Sequence, residues 1–138
     1  MNSDPNELRK QLPPFRSILT TSIILAAIGL VGLAVIIFFT LPTLGPRWLL
    51  FFLVTLLFSG LALPVVYYFN LRFPSNPVAG NTVLVREALW FGIYFDVILW
   101  LQFGKVLNFA LAFFIFVGLA AIELLIRVAE RNRFNAQR

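Results

Sequence analysis

The chain contains no cysteine and no histidine, and only 12% of its residues are charged. The first two absences remove disulfides, thiol catalysis, His-ligated metal or haem, and thiolate-held zinc or iron–sulfur sites, because each needs a side chain that is missing. The scarcity of charge is unevenly spread. No charged side chain lies between Arg16 and Arg47, and none between Arg47 and Arg72. A bilayer core takes about 20 apolar residues as helix, so each of these stretches is long enough to cross hydrocarbon.

What is present agrees. Of 138 residues, 60% are hydrophobic, and the mean hydropathy is +0.90. These values lie outside the range of soluble globular domains. Four spans of about 20 residues with short links use nearly the whole length, so one transmembrane domain over 1–138 is expected. The formal net charge of +5 then reads as an orientation signal rather than as affinity for nucleic acid. The apolar run after Arg9, Lys10 and Arg16 is too long for a cleavable signal sequence and predicts a retained first span.

Asp4, Pro5 and Glu7 form a helix-start pattern, with Asp4 as N-cap and Pro5 in the first helical position. Pro13 and Pro14 end that short amphipathic helix, so Leu8 and Leu12 are expected at the membrane interface with Arg9 and Lys10 toward lipid phosphates. Span one is predicted over 17–40, with Ser22, Ala26 and Gly29 on one packing stripe. Pro42, Gly45 and Pro46 mark a compact turn over 41–46.

Span two is predicted over 48–69, with Trp48 at one end and Tyr67 and Tyr68 at the other, as in interfacial aromatic belts. Thr55, Ser59, Gly60 and Ala62 offer a second small-residue patch. Pro64 has no N–H to give the Gly60 carbonyl, so the Ser59 hydroxyl or a neighbouring helix is expected to supply a donor. A loop is predicted over 70–82, carrying Asn70, Pro74, Ser75, Asn76, Pro77 and Gly80, with Asn81 or Thr82 capping the next helix.

Residues 83–129 show almost no helix breaker, yet one helix of that length would measure about 70 Å. The polar group Gln102, Gly104, Lys105 and Asn108 marks the point of return, giving spans over 83–103 and 106–126. The predicted fold class is therefore an all-α membrane protein with four transmembrane helices in two antiparallel hairpins. One side collects Arg9, Lys10, Arg16, Arg72, Arg86, Arg127, Arg131, Arg133 and Arg138, and the other only Arg47 and Lys105. The positive-inside rule puts both termini in the cytoplasm.

The intramembrane polar candidates are Asp96, Arg86, Glu87, Glu123 and Arg127. The last four share one depth, and antiparallel neighbours would bring Arg86 to Glu123 or Glu87 to Arg127, while Glu123 and Arg127 have the i, i+4 spacing of a helical ion pair. Two acids and two bases cancel, which suits a clamp. Asp96 falls near the middle of span three, where a charge costs about 2.5–3.5 kcal/mol on insertion scales. Its partner is expected from another span, from a second subunit or from a proton, the Trp100 indole being the nearest group on its own helix.

The 16 phenylalanines read as lipid contact and packing, and the basic tail from Glu130 as a solvated end or a seat for anionic headgroups. No catalytic residue, cofactor site or metal site is predicted. The expected role is a non-catalytic structural or accessory subunit, or assembly partner, of a larger membrane complex. Its expected partners are the lipid bilayer and a membrane protein or a second copy of the chain. The alternative is a small oligomeric proton-coupled transporter or channel using Asp96. A lipid-acting enzyme built on Arg86, Glu87, Glu123 and Arg127 would lack a nucleophile.

Overall fold

A computed structural model describes residues 4–40, 44–75 and 77–137. Five helices and no strand occur among the described residues: α1 (Pro5–Lys10), α2 (Phe15–Phe39), α3 (Leu44–Arg72), α4 (Asn81–Phe103) and α5 (Phe109–Ala136). Three are long and apolar enough to cross a membrane, namely Phe15–Phe39, Gly45–Arg72 and Phe109–Ala136. α4 is not among them, because Arg86, Glu87 and Asp96 all fall within its 23 residues.

α1 begins as its sequence dictates. The Asp4 carboxylate accepts from the Asn6 amide at 3.1 Å and Pro5 opens the helix. Its apolar side turns out differently from expectation. Leu8 is buried and Leu12 packs against the protein core, while Arg9 Nε donates to the Leu71 carbonyl at 3.1 Å. Tyr67, beside the end of α3, is buried and donates its hydroxyl to the Pro13 carbonyl at 3.1 Å. Free α3 carbonyls and a buried phenol need partners more than lipid needs α1, so the segment folds onto the bundle.

Residues 41–43, including Pro42 of the predicted turn, lie outside the described residues, as do Asn76 and Arg138. Gly45 and Pro46, expected in that turn, belong to the first turn of α3, where proline loses no helical bond. The predicted loop over 70–82 is likewise shorter at both ends. Asn70 lies within α3 and is buried, and Asn81 is the first residue of α4 behind an N-cap at Gly80 that makes no side-chain bond.

α2 and α3 meet through small residues. A methyl group added at Gly29 would stand 2.6 Å from the Leu57 backbone nitrogen, and one at Gly60 would stand 2.6 Å from the Ala26 nitrogen. Such close backbone approach is what allows dispersion contacts to hold helices together where no hydrophobic effect operates between them. The Gly60 carbonyl, deprived of a donor by Pro64, accepts the Ser22 hydroxyl of α2 at 2.6 Å, so the neighbouring helix rather than Ser59 fills the vacancy.

α3 and α4 pack along their length, with Phe58 and Phe95 stacked at 4.0 Å between ring centroids and Phe51 edge-on to Phe103 at 6.2 Å. The core gathers at the opposite end, where Ile18, Leu63, Tyr67, Leu84 and Ala88 surround Ala79 of the connecting segment. α5 contributes no buried residue and touches the rest mainly through α4.

Between α4 and α5 the helix breaks where the polar residues predicted it. The Lys105 amide donates to Gln102 at 3.0 Å and the Val106 amide to Leu101 at 3.1 Å, a paired closure that requires a left-handed residue, here Lys105 at φ 55°. Asn108 then caps α5, its side chain accepting from the Leu111 amide at 2.8 Å. α5 therefore starts at Phe109, three residues after the predicted 106, and runs ten residues past the predicted 126.

Candidate functional site

Four of the five candidate residues form one cluster at the end where α3 stops and α4 starts. Arg86 of α4 reaches Glu123 of α5 twice, through Nη2 at 3.1 Å and Nε at 3.3 Å. Arg127 of α5 pairs with Glu87 of α4 and, at 3.5 Å, with Glu123 one turn away. Both cross-helix pairings expected from shared depth are thus present together.

Three further residues complete the cluster. Glu130 binds Arg86 through both carboxylate oxygens, at 2.6 and 3.2 Å. The Trp90 indole donates to Glu123 at 2.9 Å. Asn70 bridges, its amide nitrogen donating to Glu87 at 2.8 Å and to the Val66 carbonyl at 3.0 Å while its oxygen accepts from Arg127 at 3.1 Å. The expected balance of two acids and two bases is corrected by Glu130: three carboxylates face two guanidiniums. Asn70 was hidden by its reading as a loop residue, and Glu130 by the early end assigned to the last span.

Bidentate guanidinium–carboxylate contacts fix geometry as well as charge. With every carboxylate of the cluster engaged by arginine, the arrangement ties α3, α4 and α5 at one end and offers no free base or nucleophile. No group of three or more potential metal-ligating side chains occurs among the described residues.

Asp96 lies apart, in the seam between α3 and α4. The Thr55 hydroxyl of α3 donates to its Oδ2, and the same hydroxyl is 3.1 Å from the Phe51 carbonyl. The partner therefore comes from another helix, and Trp100 is 65% exposed. Asp96 Oδ1 and Ser59 Oγ are buried without a hydrogen-bond partner among the described residues. Thr20 and Thr21 of α2 donate their hydroxyls to carbonyls of their own helix at 2.8 and 3.0 Å.

An open cleft of about 320 Å³ separates α4 from α5, floored by Val66 and Phe69 of α3 and bounded at one end by Glu87, Glu123 and Arg127. The wall between is apolar, with Trp90, Tyr94 and Phe116 prominent. Compared with protein-family models, with curated proteins and with solved structures, the chain matches none.

Proposed function

We propose that this protein is a non-catalytic structural or accessory subunit of a larger membrane complex. In this reading it crosses the bilayer four times, as two antiparallel hairpins with both termini cytoplasmic. Support for α4 as the fourth span comes from the way its charges are met: Arg86 and Glu87 by the cluster, Asp96 by Thr55. The observation that carries the subunit reading is α5, a 28-residue helix without one buried residue. It is tied to α4 at its charged end and leaves most of its apolar surface for another molecule.

Extraction in a mild detergent followed by native mass spectrometry tests this reading. A particle containing a second polypeptide beside the 15.6 kDa chain is the expected result, and a lone monodisperse monomer contradicts it.

A second reading, a small oligomeric proton-coupled transporter or channel, draws on Asp96 Oδ1 and Ser59 Oγ, two unpartnered buried oxygens in one seam. Proton-coupled flux in vesicles that disappears in Asp96→Asn would favour it over the subunit reading.

A further inference from the structure

Of the six acids in the chain, all but Asp96 have solvent or a cation beside them. Asp4 is exposed, Glu7 pairs with Lys10, and Glu87, Glu123 and Glu130 pair with Arg86 or Arg127. Asp96 Oδ1 is buried without a partner among the described residues. No described cation approaches it. α3, packed against it, carries no charge between Arg47 and Arg72, and from Arg47 to Thr55 is about 12 Å of helix. Tyr67 and Tyr68 of α3 lie farther still from Thr55. α2 has no charge beyond Arg16, and α5 none before Glu123. On α4 itself, Arg86 and Glu87 belong to the cluster and the Tyr94 hydroxyl is turned to Ala112, while Lys105 stands beyond the helix end.

The hydrogens around Thr55 do not suffice for an ionised Asp96. Thr55 Oγ meets two oxygens, Asp96 Oδ2 and the Phe51 carbonyl at 3.1 Å, and it owns one hydrogen. A carboxylate and a carbonyl only accept. With Asp96 ionised, the hydroxyl donates to Oδ2 and its contact with Phe51 holds no hydrogen. Sharing that hydrogen between both acceptors would still leave a buried charge with one donor and no counterion. A single added proton mends both defects: Oδ2–H donates to Thr55 Oγ, and the Thr55 hydroxyl donates to Phe51. The seam is also close. A methyl group at Gly92, one turn before Asp96, would stand 2.8 Å from the Thr55 carbonyl oxygen and meet the Ser59 hydroxyl. Such closeness favours a proton over a metal ion, which would need more ligands than Asp96 Oδ1 and Ser59 Oγ supply.

We propose that Asp96 is a proton-binding site, a neutral carboxylic acid at neutral pH whose Oδ2–H donates to Thr55 and, through it, closes a chain ending at the Phe51 carbonyl. The charge-dependent direction of the bond between Asp96 and Thr55 is thereby fixed from α4 to α3. The site rests on α4 lying in the bilayer, as proposed above, and requires no transport.

Infrared spectra of the protein in phosphatidylcholine vesicles at neutral pH, with and without isotope-labelled aspartate carboxyls, read the proton directly. Asp4 and Asp96 are the only aspartates, and Asp4 is exposed, so a protonated aspartate belongs to Asp96. The expected result is an isotope-sensitive carbonyl stretch of a protonated acid, lost entirely in Asp96→Asn. Thr55→Val, which keeps the shape and deletes the acceptor, should shift that stretch to higher frequency, and Ser59→Ala should leave it in place. Carboxylate bands from both aspartates overturn the proposal, as does a protonated band that sodium ions abolish, which would assign the site to a cation. A stretch unmoved by Thr55→Val overturns the donation to Thr55. Labelling of Lys105→Cys from either face reports the crossing of α4 independently. Carboxylate bands with α4 crossing refute the bound proton alone, and carboxylate bands without crossing refute the membrane placement as well.

Discussion

Ser22 and Pro64 lie on different helices, yet one carbonyl, that of Gly60, couples them. Pro64 removes its helical donor and Ser22 replaces it from α2. Ser22→Ala should therefore lower resistance to detergent-induced unfolding by about 0.6–2 kcal/mol, the range for interhelical bonds in membranes. Pro64→Ala restores the backbone N–H, so the cost of Ser22→Ala should largely vanish in that background; an unchanged cost would show that the hydroxyl acts elsewhere. The orphaned carbonyl was legible in the sequence because proline chemistry is local. Its donor was not, since which helix lies opposite is a matter of tertiary packing. Asp96 follows the same rule: that a mid-helix acid needs a partner could be read from spacing, whereas the choice of Thr55 could not.

At the scale of elements, the cluster at the end of α3, α4 and α5 concentrates on Glu123. Arg86, Trp90 and Arg127 all address its carboxylate, and its side chain is 16% exposed. Removing one member of a buried ionic network leaves the others uncompensated, so Glu123→Ala should cost about 3–5 kcal/mol. Glu130, 44% exposed, has water as an alternative partner, and Glu130→Ala should stay within about 1 kcal/mol. Thermal unfolding in detergent micelles checks the ranking, and equal effects would contradict it.

The turn between α4 and α5 makes a separate case. Lys105→Gly places the residue suited to a left-handed φ where the closure needs it and should stabilise by about 0.4–1 kcal/mol in the same assay. The pairing of Arg86 with Glu123 and of Glu87 with Arg127 was legible because depth follows from helix rise. Asn70 and Glu130 escaped because helix ends are set by tertiary bonds that outlast the apolar run.

Across the whole molecule the usual arrangement of a soluble fold is reversed. Phe38, Phe39 and Phe109 are 80%, 84% and 88% exposed, whereas Ser22, Ser59 and Asn70 are buried. Apolar surface on this scale is what a protein presents to lipid or to another membrane protein rather than to water. The helical class and the first two of the three membrane-length apolar helices were readable from charge-free length, and the third from the polar break at 102–108. The extent of contact was not: α3 and α4, placed in separate hairpins by the sequence, share an extensive seam, while α4 and α5, placed in one hairpin, meet mainly through long side chains at the charged cluster.

The central claim, four crossings with both ends on the cytoplasmic side, is open to a direct measurement because the chain has no native cysteine. Single cysteines introduced as Asn6→Cys, Gly45→Cys, Ser75→Cys, Lys105→Cys and Asn132→Cys can be labelled in oriented vesicles with a membrane-impermeant maleimide. The account predicts that positions 6, 75 and 132 react only from the cytoplasmic face and positions 45 and 105 only from the opposite one. Labelling of position 105 from the same face as position 75 would mean that α4 does not cross, and the four-span account would fail.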